Sequence, residues 1–165
     1  LNLVTVIGGT KKQREFTEKV VQHCISKLMP RHSTLEIEVQ LTKCLDKGAY
    51  GYCHADEGTT RSFVIEVDKR LSKFKNKKTN KQGLERFVET ICHEMVHVWQ
   101  TVTGRMVDRV YPAKLGARKM WKTKDGSYVN HTKTAYSKQP WERQAYRMQG
   151  SLHKGFNRAQ RHGRL

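Results

Sequence analysis

Long hydrophobic runs are missing from this chain. No apolar stretch approaches the roughly 20 residues that a membrane-spanning helix needs, and the short apolar segment at residues 3–7 has neither the length nor the basic start of a secretory signal. A membrane-embedded role is excluded on that ground, and a cytoplasmic protein is expected. Cysteine is scarce as well. Cys24, Cys44, Cys53 and Cys92 include no Cys-x-x-Cys pair, and a chain of 165 residues needs no staples to hold a core, so reduced thiols are expected. Acidic residues are the other shortage: 15 Asp and Glu stand against 32 Lys and Arg, and the net charge is +17 with a pI near 10.0. The paired carboxylates of Mg²⁺-dependent nuclease chemistry are not in evidence. With 36% hydrophobic residues and a mean hydropathy of -0.76, the composition describes a heavily solvated surface around one core, and a single domain spanning 1–165 is expected.

The positive charge that is present is concentrated. Lys69, Arg70, Lys73, Lys75, Lys77, Lys78 and Lys81 form one run, residues 114–124 hold a second, and Arg158, Arg161 and Arg164 lie in a basic tail at about 154–165. Such density attracts polyanions, although any single run also reads as a solvated loop. No zinc finger, helix-turn-helix or aromatic RNA-recognition signature accompanies it. Contact with nucleic acid is therefore expected to be directed at the backbone, independent of sequence and sensitive to salt.

Periodicity gives the order of elements. Residues 10–28 place Phe16, Val20, Val21, Cys24, Ile25 and Leu28 at helical spacing, and Pro30 closes that helix. Residues 35–41 alternate Leu35, Ile37, Val39 and Leu41 with Glu36, Glu38 and Gln40, the pattern of a half-buried strand. Residues 48–55 and 62–68 read as two further strands joined through Asp56-Glu57-Gly58, followed by a basic loop over 69–82. A long helix follows Gly83 to about Val102 and is closed by Gly104. Residues 107–120 read as loop with some helix, 121–131 as a short hairpin around Asp125-Gly126, and Pro140 opens a last helix carrying Trp141, Ala145, Tyr146, Met148 and Leu152. The expected class is α+β, with an N-terminal helix, a three-stranded and mostly antiparallel sheet, the long helix and a C-terminal helix.

That long helix contains Ile91-Cys92-His93-Glu94-Met95-Val96-His97-Val98-Trp99, and so a His-Glu-x-x-His motif. Four residues make about one helical turn, so the two imidazoles share a face and can hold one Zn²⁺, with Glu94 in reach of a metal-bound water. Leu84, Phe87, Val88, Ile91, Met95, Val98 and Val102 recur at steps of three and four as the packing stripe. His93 and His97 lie about 200° from Ile91 and Met95 and are expected to face a cleft. Cys92 is turned about 100° from His93 and reads as a packing residue.

A catalytic zinc takes three protein ligands and keeps one position open, so a third ligand must come from outside the helix. Glu142, His153 and His131 are the candidates. Glu142 stands on a rigid second helix, which holds ligands more accurately than a loop, though an acidic residue in a first turn also suits the helix dipole without any metal. His131 is alternatively a hydrogen-bond donor to a substrate oxyanion, as are Tyr136 and Tyr146, which otherwise read as core aromatics.

His93-Glu94-Met95-Val96-His97-Val98-Trp99-Gln100, following a helix and three strands, resembles the small SprT-like metallopeptidases, including versions encoded by bacteriophages, and more broadly the minigluzincin-like zincins. The likeness covers roughly residues 35–152 and is specific at the motif helix. It implies a zincin-like fold, Zn²⁺ as cofactor and Glu94 as the catalytic residue. SprT-like proteins commonly place a third histidine in a His-Gly-x-x-Phe segment soon after the helix; His153-Lys154-Gly155-Phe156 is only faintly similar and lies much later. Pro140-Trp141-Glu142-x-x-Ala145 looks more like relatives that use glutamate, which puts Glu142 first as the ligand beside His93 and His97. No zinc ribbon like that of many SprT domains accompanies the motif, so nucleic-acid contact would fall to the Lys and Arg runs. The family also implies a protein or peptide substrate, with cleavage of proteins attached to DNA as a theme. If the chain is bacteriophage-encoded, a virion-associated location is expected, and the excess positive charge then suggests virion or assembly proteins as partners. The competing reading is a basic structural or assembly protein, for example a virion component, that keeps the zincin fold without turnover.

Overall fold

Alternating apolar residues build a sheet whose one face is covered by helices. The computed structural model describes residues 1–43, 48–56, 58–72, 77–110, 117–131 and 133–165, with backbone alone at 77–81, 109–110 and 117–118. Among these, β1 (Leu3–Gly8), β2 (Glu36–Thr42), β3 (Gly51–Ala55) and β4 (Ser62–Asp68) form one sheet in the order β1-β2-β4-β3. Ile37, Val39 and Leu41 of β2 and Phe63, Ile65 and Val67 of β4 point inward and are buried, while Glu36, Glu38 and Glu66 lie on the other face. Helices α1 (Lys11–Leu28) and α2 (Lys77–Val102) pack on the apolar face, and α3 (Pro140–Arg161) packs along α2. The core is continuous from Val20, Val21 and Cys24 of α1 through the sheet to Phe87, Ile91 and Met95 of α2 and Ala145, Leu152 and Phe156 of α3.

Local chemistry fixes the helix ends. The Thr10 hydroxyl accepts from the Gln13 amide while the Gln13 side chain accepts from the Thr10 amide, a reciprocal cap that starts α1. Pro140 occupies the first turn of α3, where its missing N–H costs nothing. No helix among the described residues is long and apolar enough to cross a membrane.

Several expectations are corrected. Residues 3–7 form an edge strand that pairs parallel to β2, so the sheet has four strands where three were expected. It is not mostly antiparallel either: β1–β2 and β2–β4 are parallel and β3–β4 is antiparallel, because α1 carries the chain across between β1 and β2 and β4 inserts between β2 and β3. The long helix begins at Lys77 and absorbs part of the expected basic loop, with Gly83 inside it; a Cβ there would lie 2.7 Å from the Leu71 carbonyl oxygen. The region expected as loop with some helix holds β5 (Met106–Val110) and β6 (Ala117–Lys122), which with β7 (Tyr128–Asn130) make a second, antiparallel sheet. The turn at Asp125-Gly126 joins β6 and β7, with Gly126 at φ 88°. The last helix runs to Arg161 and takes up most of the expected tail. Cys44, Glu57, Lys73, Lys75, Pro112, Lys114 and Gly116 lie outside the described residues, as do the side chains of Lys77, Lys78 and Lys81.

Candidate metal centre

One turn of α2 carries His93, Glu94 and His97, and the first turn of α3 carries Glu142; all four are buried. Packing of α3 along α2 brings the Glu142 carboxylate to both rings, with Oε2 3.1 Å from His93 Nε2 and Oε1 3.5 Å from His97 Nε2. The two Nε2 atoms are 3.2 Å apart. These three residues can place one ligand atom each within 4.8 Å of one another, a group able to hold a metal ion.

The partners of the other ring nitrogens test that fit. His93 Nδ1 lies 2.8 Å from Gln149 Oε1, and His97 Nδ1 lies 2.8 Å from Gln100 Oε1. An amide oxygen only accepts, so each Nδ1 donates its proton and each neutral ring turns a lone pair outward at Nε2. The Gln100 amide is held in that sense because its Nε2 donates to the Trp141 carbonyl at 3.0 Å and to Gln144 Oε1 at 3.1 Å. With both Nδ1 protons so committed, two imidazole Nε2 atoms and a carboxylate converge, a donor set that calls for a cation between them, a proton or a metal ion.

Charge placement agrees. Burial would raise the Glu142 carboxyl, but hydrogen bonds from His93 and His97 outweigh it and hold its pKa at about 2. Burial disfavours the charged form of His93, yet its contact with Glu142, the nearby Glu94 charge and Gln149 together raise it. Glu94 is raised because burial outweighs the two histidines. It forms no hydrogen bond or ion pair among the described residues, so its carboxylate is free to act on a bound molecule.

Glu94 opens onto a cleft of about 480 Å³ between the edge strand β3 and the helices. Gly51 and Tyr52 line one side, Arg86, Thr90, His93 and Glu94 the floor, and Tyr136, Tyr146 and Gln149 the other side. The Tyr146 ring lies edge-on to His93 at 4.7 Å, and the Tyr136 phenol is raised by desolvation and by the charge and hydrogen bond of Glu142. Gly51 is required by space: a Cβ on it would stand 2.7 Å from Thr90 Cγ2 and 2.9 Å from Glu94 Oε1.

The other two candidate ligands are elsewhere. His153 Nδ1 is 3.3 Å from Glu89 Oε1 and its Nε2 is 2.9 Å from Asn157 Nδ2, outside the group. His131 stacks edge-on to Trp141 and approaches Thr134. Cys92 is fully buried, 3.7 Å from Cys24 Sγ, as a packing residue should be. Gln100, Gln149 and Gly51 were not singled out by sequence. Gln100 sits three residues beyond His97 on the same helix, a spacing that in retrospect signals a side-chain pair.

No known protein family, curated protein or solved structure matches the chain.

Proposed function

We propose that the protein is a zinc-dependent peptidase, with His93, His97 and Glu142 as ligands and Glu94 as the general base. The observation that carries this reading is the convergence of three lone-pair donors beside a free, buried carboxylate on the floor of an open cleft. Two imidazoles and one carboxylate form a three-ligand set that suits catalytic zinc and leaves a position open. When bound, zinc supplies Lewis acidity that acidifies water and polarises a carbonyl. Glu94 takes the proton of the attacking water and returns it to the leaving amine, a role its raised pKa favours by bringing it nearer neutrality. β3 is the last strand of its sheet among the described residues and borders the cleft, so an extended peptide can add to it as a further strand and lay its scissile bond over Glu94. The likeness of the motif helix to SprT-like and minigluzincin-like zincins supports the same reading, and extends it to protein substrates held near nucleic acid.

Metal analysis combined with proteolysis tests it. Purified protein is expected to bind about one zinc and to cleave casein, and Glu94→Gln to keep the metal while lowering cleavage by about 10²- to 10⁴-fold. Undiminished cleavage by that variant removes Glu94 from the mechanism. The net charge of +17 favours a second reading, a basic structural or assembly protein. In that case binding to its partner survives Glu94→Gln and no cleavage is seen in either form.

A further inference from the structure

All five Lys and Arg residues of the 22-residue helix α3, namely Arg143, Arg147, Lys154, Arg158 and Arg161, are exposed. At 100° per residue they fall within an arc of about 60°, in a ridge about 27 Å long. Glu142, the sole acidic residue of α3, is buried on another face. None of the five side chains forms an ion pair or hydrogen bond among the described residues. By contrast, the five cations of α1, Lys11, Lys12, Arg14, Lys19 and Lys27, spread over about 220° and are interspersed with Glu15 and Glu18. Two of the α3 residues, Arg158 and Arg161, suit the helix C-terminus on dipole grounds. The other three have no such reason to share their line.

We propose that this ridge binds the phosphodiester backbone of duplex DNA. Its charge is complementary to a polyanion, and its straightness suits a stiff rod: about 27 Å of B-DNA carries roughly 16 phosphates along its axis, from which one side supplies partners for five cations. Gly150 and Ser151 occupy the middle of the ridge, so nothing there keeps the phosphates at a distance. The arc holds no aromatic ring on which single-stranded bases would stack. It also lacks the apolar residues that an interfacial helix buries in an anionic membrane. No asparagine or glutamine lies within the arc to read base edges, and the ridge binds independently of sequence. Tyr146 and Gln149, one helical face away, belong to the rim of the metal-centre cleft, so DNA on the ridge runs beside that cleft. The inference goes beyond the hydrolytic reading and does not depend on it.

Fluorescence anisotropy with a labelled duplex of about 20 base pairs, titrated at several salt concentrations with and without chelator, tests the proposal. Replacing all five α3 cations by Gln is expected to reduce the slope of log K against log salt by about 4 and to weaken binding at least a hundredfold at low salt, with chelator making no difference. The matched replacement of the five α1 cations by Gln, which changes net charge equally, is expected to cost far less. Equal losses from the two variants overturn the proposal, because binding would then follow net charge alone. Tighter binding of a single-stranded oligonucleotide of the same length, or binding to phosphatidylserine vesicles in preference to the duplex, overturns it too. Should the fivefold variant fail to fold by circular dichroism, the pairs Arg143→Gln with Arg147→Gln and Lys154→Gln with Arg158→Gln are each expected to reduce the slope by about 2; unchanged slopes overturn the proposal.

Discussion

Two glutamines decide what the histidines can do. Because Gln149 and Gln100 accept from the Nδ1 atoms, the rings are locked in the tautomer that leaves both Nε2 atoms to a ligand. Gln149→Ala removes one such lock without touching a ligand, and is expected to weaken zinc binding by about 10- to 100-fold in competition with a chromogenic chelator. Glu142→Ala removes a ligand and is expected to weaken it further. An unchanged affinity in Gln149→Ala would show that His93 is oriented by other means. Gly51 offers a separate check on Glu94. Gly51→Ala drives a methyl into Thr90 and the Glu94 carboxylate, and is expected to reduce hydrolysis with zinc content unchanged. Wild-type turnover in that variant would mean that β3 withdraws from α2 at no functional cost.

At the scale of elements, Gln100 and His23 are two of the buried polar side chains that meet α3 from its neighbours. Gln100 joins His97, Trp141 and Gln144, and Gln100→Ala leaves these groups unpaired at a cost of about 1–3 kcal/mol in urea unfolding. His23 of α1 packs edge-on to Phe156 of α3, its Nε2 without a hydrogen-bond partner among the described residues and 3.2 Å from where a Cβ on Gly155 would lie. Burial, and then Lys27, lower its pKa from 6.5, against a backbone hydrogen bond with Leu152 that raises it. Below pH 6.5 the unfolded chain takes up a proton that folded His23 resists, so this contribution is complete above 6.5 and is lost as pH falls. His23→Gln is expected to flatten the fall in urea midpoint between about pH 7 and pH 5, and an equally steep fall would clear His23 of that role. Most of the elements legible in the sequence have a buried stripe: α1, β2, β4, the motif turns of α2 and the start of α3; β3 and the β6–β7 turn were legible instead from the turn residues beside them. β6, reading Ala117-Arg118-Lys119-Met120-Trp121-Lys122, shows a single buried residue among its described side chains, Met120, and its sequence gives no apolar alternation to follow. Lys77–Gln82 opens α2 without an apolar residue, which hid six residues of helix. Parallel pairing was hidden for another reason: a strand alternates in the same way whether its neighbour runs with it or against it. The histidine pair was legible because one turn of helix fixes its geometry, whereas Glu142 met it only through the packing of α3 on α2.

In the whole molecule, the charge of +17 is not evenly spread. The sheet face away from the helices carries Glu36, Glu38 and Glu66, while α3 presents its cations to solvent. The His93, His97 and Glu142 group, which could hold a metal ion, spans two helices that the chain reaches 45 residues apart, from His97 to Glu142, so on the proposed reading metal binding and folding are linked. At free zinc a hundredfold above Kd the linkage is worth about 2.7 kcal/mol, and chelation is expected to lower Tm by about 5–10 °C. Glu142→Ala should melt near the chelated value and respond little to chelator. A Tm independent of chelator in the wild type would show that the two helices are held by packing alone.

Zinc K-edge absorption on the protein as purified tests the central claim most directly. The account predicts one zinc per chain with two imidazole nitrogens at about 2.0–2.1 Å, a carboxylate oxygen at about 2.0–2.2 Å and no sulfur. A spectrum with sulfur neighbours or a third imidazole, or a protein that takes up no metal with zinc in excess, would contradict it.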